Sequence, residues 1–162
     1  MLQIIKFPDP ILRERMPEFD FSNPVVDPQE LEKQMLEAMY QNNGLGLSAN
    51  QVGIRARMFV MGHRATPSAG QGFFNPIIIN NDQEILDLVE GCLSFPGIYV
   101  KIKRPKIIQA QWQNSQGAWQ EGEFEGYACK CFLHEFDHLE GIVFQDRVSN
   151  LKWSMATKKR KM

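Results

Sequence analysis

The most constraining feature of this chain is the pentapeptide His134-Glu135-Phe136-Asp137-His138, inside the segment CFLHEFDHLEG. On an α-helix two histidines four residues apart lie one turn apart on one face, close enough to share a ligand. The run FEGYACKCFLHEFDHLEG reads as that helix, with Gly141 as its stop. Glu135 projects beside the pair, where it reaches a water on a bound ion more readily than the ion itself. Two histidines do not complete a catalytic metal site, which takes three protein ligands and one open position.

The third ligand has to come from elsewhere in the chain. Downstream there is no further histidine, only Glu140 and Asp146 among nearby acids. Glu140 faces another side of the helix. The upstream candidates are His63, Cys92, Cys129 and Cys131. His63 lies in a glycine-containing stretch, GHRATPSAGQG, that reads as an exposed loop. Cys131 shares the face of His134, but residues 131, 134 and 138 span about 10 Å of helix axis, too far for one ion. Cys129 is offset around the helix. Cys92, in EGCLSFPG, follows a strand-like run and a glycine, where backbone comes close to a ligand. A Cys/His/His set with one open position suits Zn²⁺, Fe²⁺, Ni²⁺ or Co²⁺.

The rest of the chain sets the frame for that helix. DPQELEKQMLEAMYQNNG carries helix punctuation: Asp27 as cap, Pro28 in the first position, Glu30 at the third, and Gly44 as a stop. Leu31, Met35 and Met39 recur on one face and read as core. RMFVM, NPIIIN, EILDLVE, GIYVKI and KIIQAQW read as short strands, with a hairpin loop at QNSQG. The order of helix, strands, helix predicts an α+β fold, with antiparallel or mixed β-sheets packed around the C-terminal HExxH helix. With 162 residues, 43% of them hydrophobic, the chain suits one domain. That domain is expected over 1–150, with a short basic tail at 151–162. A net charge of −1 gives no general attraction to nucleic acid or membrane. Three cysteines do not form a disulfide framework, and they suit a reducing cytosol. No apolar run approaches the ~20 residues of a membrane span, and no secretory leader is evident.

A further stretch, GLGLSANQVG at 44–53, alternates glycine with leucine and permits close approach of an extended backbone. It lacks the third glycine of a dinucleotide fingerprint. Gln51 within it offers a neutral amide that could donate to a developing oxyanion. Read alone, Gln51 is a surface glutamine.

Taken together, GLGLSANQ, EGCLS and HEFDH, in that order, resemble the three motifs of the peptide deformylase family. The opening IIKFPDPILRE is also similar to that family's, and the match runs from about residue 3 to about residue 148. The resemblance implies a metal-dependent hydrolase that removes the formyl group from N-formylmethionyl nascent peptides and releases formate. Cys92, His134 and His138 would hold one divalent ion, with Fe²⁺ expected in the cell and Zn²⁺, Ni²⁺ or Co²⁺ able to substitute. Glu135 would act as general base and acid on a metal-bound water. Gln51 and the backbone N–H of Leu93 would hold the oxyanion. The backbones of Leu45, Gly46 and Gly91 would line the peptide. An apolar pocket for the methionine side chain would lie near Leu45 and the 127–131 turn, with Tyr127 and Cys131 in it. Glu90 and Arg104 would pair to brace the site. A cytoplasmic monomer is implied.

Three departures stand out. Ser48 replaces the more usual alanine, and Leu133 stands where glutamine commonly precedes the first histidine. The chain also ends in LKWSMATKKRKM, without the longer C-terminal helix used in ribosome docking, as in short forms encoded by bacteriophages. Residues 152–161 carry Lys152, Lys158, Lys159, Arg160 and Lys161 and no acid. Trp153 and Met155 are expected to pack on the body and KKRK to be solvated, in position for weak, salt-dependent ribosome contact through RNA phosphates. Two rival readings remain in view. An HExxH endopeptidase would want a downstream ligand and a long cleft, and a structural zinc domain would want a fourth protein ligand.

Overall fold

The structure, a computed structural model, describes residues 1–63 and 65–161, and the side chains up to residue 158. Among the described residues there are three α-helices and seven strands. Helix α1 spans Pro28–Gln41, with the Asp27 carboxylate accepting from the Gln29 N–H at 3.0 Å and Pro28 in the first turn. Leu31, Met35 and Met39 are buried, so the methionine stripe is core. Strands β1 (Gly46–Ser48), β2 (Met58–Met61), β3 (Gln71–Asn81), β6 (Ile107–Gln113) and β7 (Trp119–Glu125) form one antiparallel sheet in the order β1-β2-β3-β6-β7. Strands β4 (Ile85–Cys92) and β5 (Phe95–Pro105) form a separate antiparallel hairpin. The expected α+β class and antiparallel pairing hold, and the loop after Gln113 joins β6 to β7 as a hairpin.

Around β2 and the first half of β3 both faces of the large sheet are covered, which explains the unbroken apolar run of β2, whereas β6 alternates and Ile77 and Ile79 of β3 are exposed. Successive side chains of a strand point to opposite faces. Phe59 and Phe73 enter a core with Phe132 and Leu139, while Met58, Val60 and Phe74 enter another with Met35 and Met39 of α1. Phe132 and Leu139 belong to α2, Tyr127–Leu139, the helix that carries the histidines. The HExxH helix is therefore packed between the sheet and the β4-β5 hairpin, whose Ile98, Val100 and Ile102 join the same core. Gly141 closes α2 at φ +74°, and a Cβ there would lie 2.5 Å from the Arg13 carbonyl oxygen, so only glycine fits.

Two elements differ from expectation. β1 and β7 add to the expected strands: β1 is only three residues long, and β7 lies at a sheet edge with Glu121, Glu123 and Glu125 exposed, so its apolar alternation is thin. The segment read as a basic tail is helical, α3, Asn150–Lys161. Its start is held by Ser149, whose hydroxyl accepts from the Lys152 N–H at 3.1 Å. Trp153 packs edge-on against Phe144 and Phe95, at centroid distances of 5.3 and 5.6 Å. Met155, expected to pack, is exposed. Lys158 is exposed as expected, and the side chains of Lys159, Arg160 and Lys161 lie outside the described set.

Candidate functional site

Helix α2 presents His134 and His138 on one face, with their Nε2 atoms 3.2 Å apart. The Cys92 sulfur comes to 3.4 Å from His138 Nε2. Cys92 is delivered by a register shift at the end of β4, where pairing jumps from Gly91↔Tyr99 to Cys92↔Phe95. All three donor atoms lie within 4.8 Å of one another. Cys129 is turned away, its thiol donating to the Pro105 carbonyl at 3.2 Å. Cys131 and His63 are likewise outside the group, and His63 is exposed.

The donor chemistry fits a divalent ion. The Nδ1–H of His134 faces the Glu90 carboxylate at 2.8 Å, which orients Nε2 toward the convergence point. A sulfur and two imidazole nitrogens are the soft-to-borderline set that Zn²⁺, Fe²⁺, Ni²⁺ and Co²⁺ share. The surroundings separate the two rings. Burial lowers both, but Glu135, Cys92 and Glu90 outweigh it at His134 and push that ring well up. His138 stays well below its ordinary value, from burial and then from the charge of His134.

Behind His134 runs a chain of charges, buried at Glu90, Arg104 and Asp137 and reaching the surface at Arg147. Arg104 grips Glu90 with two bonds, at 2.5 and 2.9 Å, and donates to Asp137 at 2.9 Å. Arg147 grips Asp137 with two more, at 2.7 and 3.0 Å. Burial alone would raise the Glu90 carboxyl, yet the hydrogen bonds from Arg104 and His134 hold it at about 2. Glu90 and Arg104 thus pair as expected. Asp137 and Arg147 were not anticipated, although an acid inside a helix this buried signals a basic partner.

Glu135 is buried, and its Oε1 has no hydrogen-bond partner. Burial pushes its carboxyl up to about 7, against the opposing pull of His134. Its other oxygen explains Gly46: a Cβ there would lie 2.7 Å from Glu135 Oε2 and 2.9 Å from the Cys131 sulfur. Gln51, 1% exposed, is buried and not on the surface. Its Nε2 donates to Ser94 Oγ at 3.0 Å and lies 3.5 Å from the Cys92 sulfur.

These groups share a cleft of about 570 Å³. Leu45, Gly46, Gln51, Glu90, Gly91, Leu93, Cys131, His134 and Glu135 line it, whereas Tyr127 and Arg104 do not. Tyr127 stands exposed with Lys130 Nζ 4.9 Å from its ring centroid. Leu133, in place of a hydrogen-bonding residue, packs on the main core. The cleft runs between β1 and β4; among the described residues β1 pairs only with β2 and β4 only with β5, so each keeps one unpaired edge. Lys130 Nζ donates to the Val89 carbonyl at 2.8 Å and Lys6 Nζ to the Leu93 carbonyl at 3.2 Å. Among the described residues, no helix is long and apolar enough to cross a membrane.

Residues 1–154 match the family model described as polypeptide deformylase. A peptide deformylase of Thermotoga maritima is 44% identical over 98% of this chain and 94% of the relative. The crystal structure of peptide deformylase from T. maritima superposes with a TM-score of 0.85 at 42% identity, over 92% of this chain and 98% of that one. A Synechococcus elongatus peptide deformylase in complex with actinonin gives 0.90 at 31% identity, over 99% and 86%.

Proposed function

The chain belongs to the polypeptide deformylase family, and from that premise we propose that it deformylates N-formylmethionyl nascent peptides with Glu135 as the proton carrier. The observation that carries the reading is the convergence of the Cys92 sulfur and the two histidine Nε2 atoms beside a buried, unpartnered Glu135 oxygen. A divalent ion held by Cys92, His134 and His138 supplies Lewis acidity that polarises a carbonyl and acidifies water. We take Fe²⁺ as the resident ion, with Zn²⁺, Ni²⁺ or Co²⁺ as substitutes.

The chain's own residues do the rest. Glu135 takes a proton from the attacking water and returns it to the leaving amine, a role suited to a carboxyl raised to about 7. Gln51 Nε2 and the Leu93 backbone N–H hold the oxyanion as charge develops. The peptide lies extended between the open edges of β1 and β4, along Leu45, Gly46 and Gly91. The methionine side chain sits near Leu45 and Cys131, both of which line the cleft. Tyr127, outside the lining, has a weaker claim to that pocket. Glu90 and Arg104 brace His134 from behind. Residues 1–150 are the catalytic domain, acting as a monomer in the cytosol where nascent chains emerge. The basic end of α3 adds at most weak contact with ribosomal RNA.

Formate release from a formyl-Met dipeptide by the metal-loaded protein tests the reading, with casein cleavage as the counter-assay. Formate without casein cleavage is expected, and inhibition by actinonin with it. Casein cleavage without formate would overturn it in favour of an endopeptidase.

A further inference from the structure

Building on the oxyanion role of Gln51, we propose that Ser94 and Ser48 are positioning residues that fix which end of the Gln51 carboxamide faces the reaction. A carboxamide has a donor end and an acceptor end of nearly equal shape, and only the donor end can hold an oxyanion. Proton counting settles the choice here. Ser94 Oγ donates to the Ile5 carbonyl at 2.7 Å. A hydroxyl has one proton, so toward Gln51, 3.0 Å away, Ser94 offers only lone pairs. The Gln51 atom there must be Nε2.

The other end gives the same answer. The Ser48 backbone N–H, which can only donate, meets Gln51 at 3.0 Å, so that atom must be Oε1. The Ser48 hydroxyl lies 3.0 Å from the same oxygen and 2.7 Å from Asn50 Oδ1, so its single proton is shared between two acceptors and the Ser48 N–H is the firmer donor to Gln51. Asn50 is itself fixed, because its Nδ2 donates to the His138 carbonyl at 2.8 Å. A flipped Gln51 would set an oxygen against the Ser94 lone pairs and the Cys92 sulfur, and an N–H against an N–H. Ser48, Asn50, Gln51 and Ser94 are all at most 1% exposed, so water cannot repair such a mismatch. Ser94 takes one of the two Nε2 protons, and the other lies toward the cleft side, within a long 3.5 Å contact of the Cys92 sulfur, where Gln51 forms part of the wall. Ile5 ties the arrangement to the N-terminal segment twice, since its own N–H donates to the Gln51 backbone carbonyl at 2.7 Å.

The test is a double-mutant cycle on formate release from a formyl-Met dipeptide by the metal-loaded protein. Ser94→Ala is expected to lower kcat about tenfold, the worth of one good hydrogen bond, with KM within about twofold and one metal ion still bound per chain. Ser48→Ala is expected to cost less, about threefold, because its N–H remains. In a Gln51→Ala background neither serine change should lower kcat further. A full additional loss in that background would overturn the proposal, since the serines would then act through Cys92 or the fold. Unchanged kcat in both serine variants would overturn it as well. Should Ser94→Ala fail to fold, the Ser48→Ala arm of the cycle decides alone. If Gln51→Ala leaves kcat unchanged, the oxyanion reading itself falls, and the proposal with it.

Discussion

Helices α2 and α3 lie close in sequence and differ in nearly every physical respect. α2 buries seven of its thirteen residues, four of them polar or charged. Two of those four, His134 and Asp137, are held by partners from β4, β5 and the turn after α2, while Glu135 and His138 keep one buried atom each without a partner. α3 buries Ala156 and half-buries Trp153, while Leu151 and Met155 face solvent. The lesson is that a polar residue in a buried helix must be explained by what it bonds or by what it does. On α2 the unpaired Glu135 oxygen is the atom proposed to carry the proton, while the unpaired His138 atom is Nδ1, not the Nε2 that meets Cys92. α3 has few such demands, and its place is set by one aromatic side chain, Trp153, and the buried Ala156.

The comparison is most sharply tested at Glu135. Glu135→Ala should keep a full complement of metal, since Cys92, His134 and His138 remain, and lose at least ~10²–10⁴-fold in turnover. Near-normal formate release by the metal-loaded variant would show that α2's unpaired carboxyl is not the proton carrier.

The charge chain behind α2 should next appear as acid sensitivity. The Glu90 carboxyl is held at about 2, down from an ordinary value of 4.5. A depressed acid stabilises the fold fully above its unfolded value and ceases to do so as pH falls through the folded one. The metal-free protein should therefore lose roughly 3 kcal/mol of unfolding free energy between about pH 5 and pH 2. Urea melts of the wild type and Glu90→Gln across that window check this. Equal slopes for the two proteins would break the assignment.

Trp153 tests α3's anchor. Trp153→Ala removes a half-buried ring from the Phe95–Phe144 cluster and should cost about 2 kcal/mol, below the ~3–5 of a fully buried tryptophan. Turnover at 25 °C should hold. The smallest effect is expected at the end of α3: deleting 157–162 should leave dipeptide turnover within about twofold, as exposed termini generally tolerate. A large loss of activity from that deletion would erase the distinction between the two helices.

The same contrast explains what the sequence disclosed. α2, α1 and five strands were legible because their patterns are local: spacing, caps and alternation. Cys92 as the candidate third ligand followed by elimination among few candidates, and the structure brings its sulfur to the two histidines. α3 was hidden because its anchor is tertiary, and β7 because acids occupy its exposed edge. Arg147 carried no local signal at all. Ser94 sits in plain view beside Cys92, yet its part depends on where one proton goes among residues 5, 48, 51 and 94, and no spacing rule encodes that.

The open edges of β1 and β4 have a consequence for solubility. An exposed strand edge is a template for pairing with another chain, and proteins usually blunt it by covering it. Here covering would fill the cleft, so the edges have to stay open and be made unattractive to a second copy by other means. β1 is kept to three residues, too short to nucleate a ladder. Along the other wall Lys130 and Lys6 each occupy a carbonyl and place a positive charge beside it. An incoming extended chain has to displace or skirt those ammonium groups, which disfavours casual sheet growth and leaves the groove to chains that bring further contacts of their own.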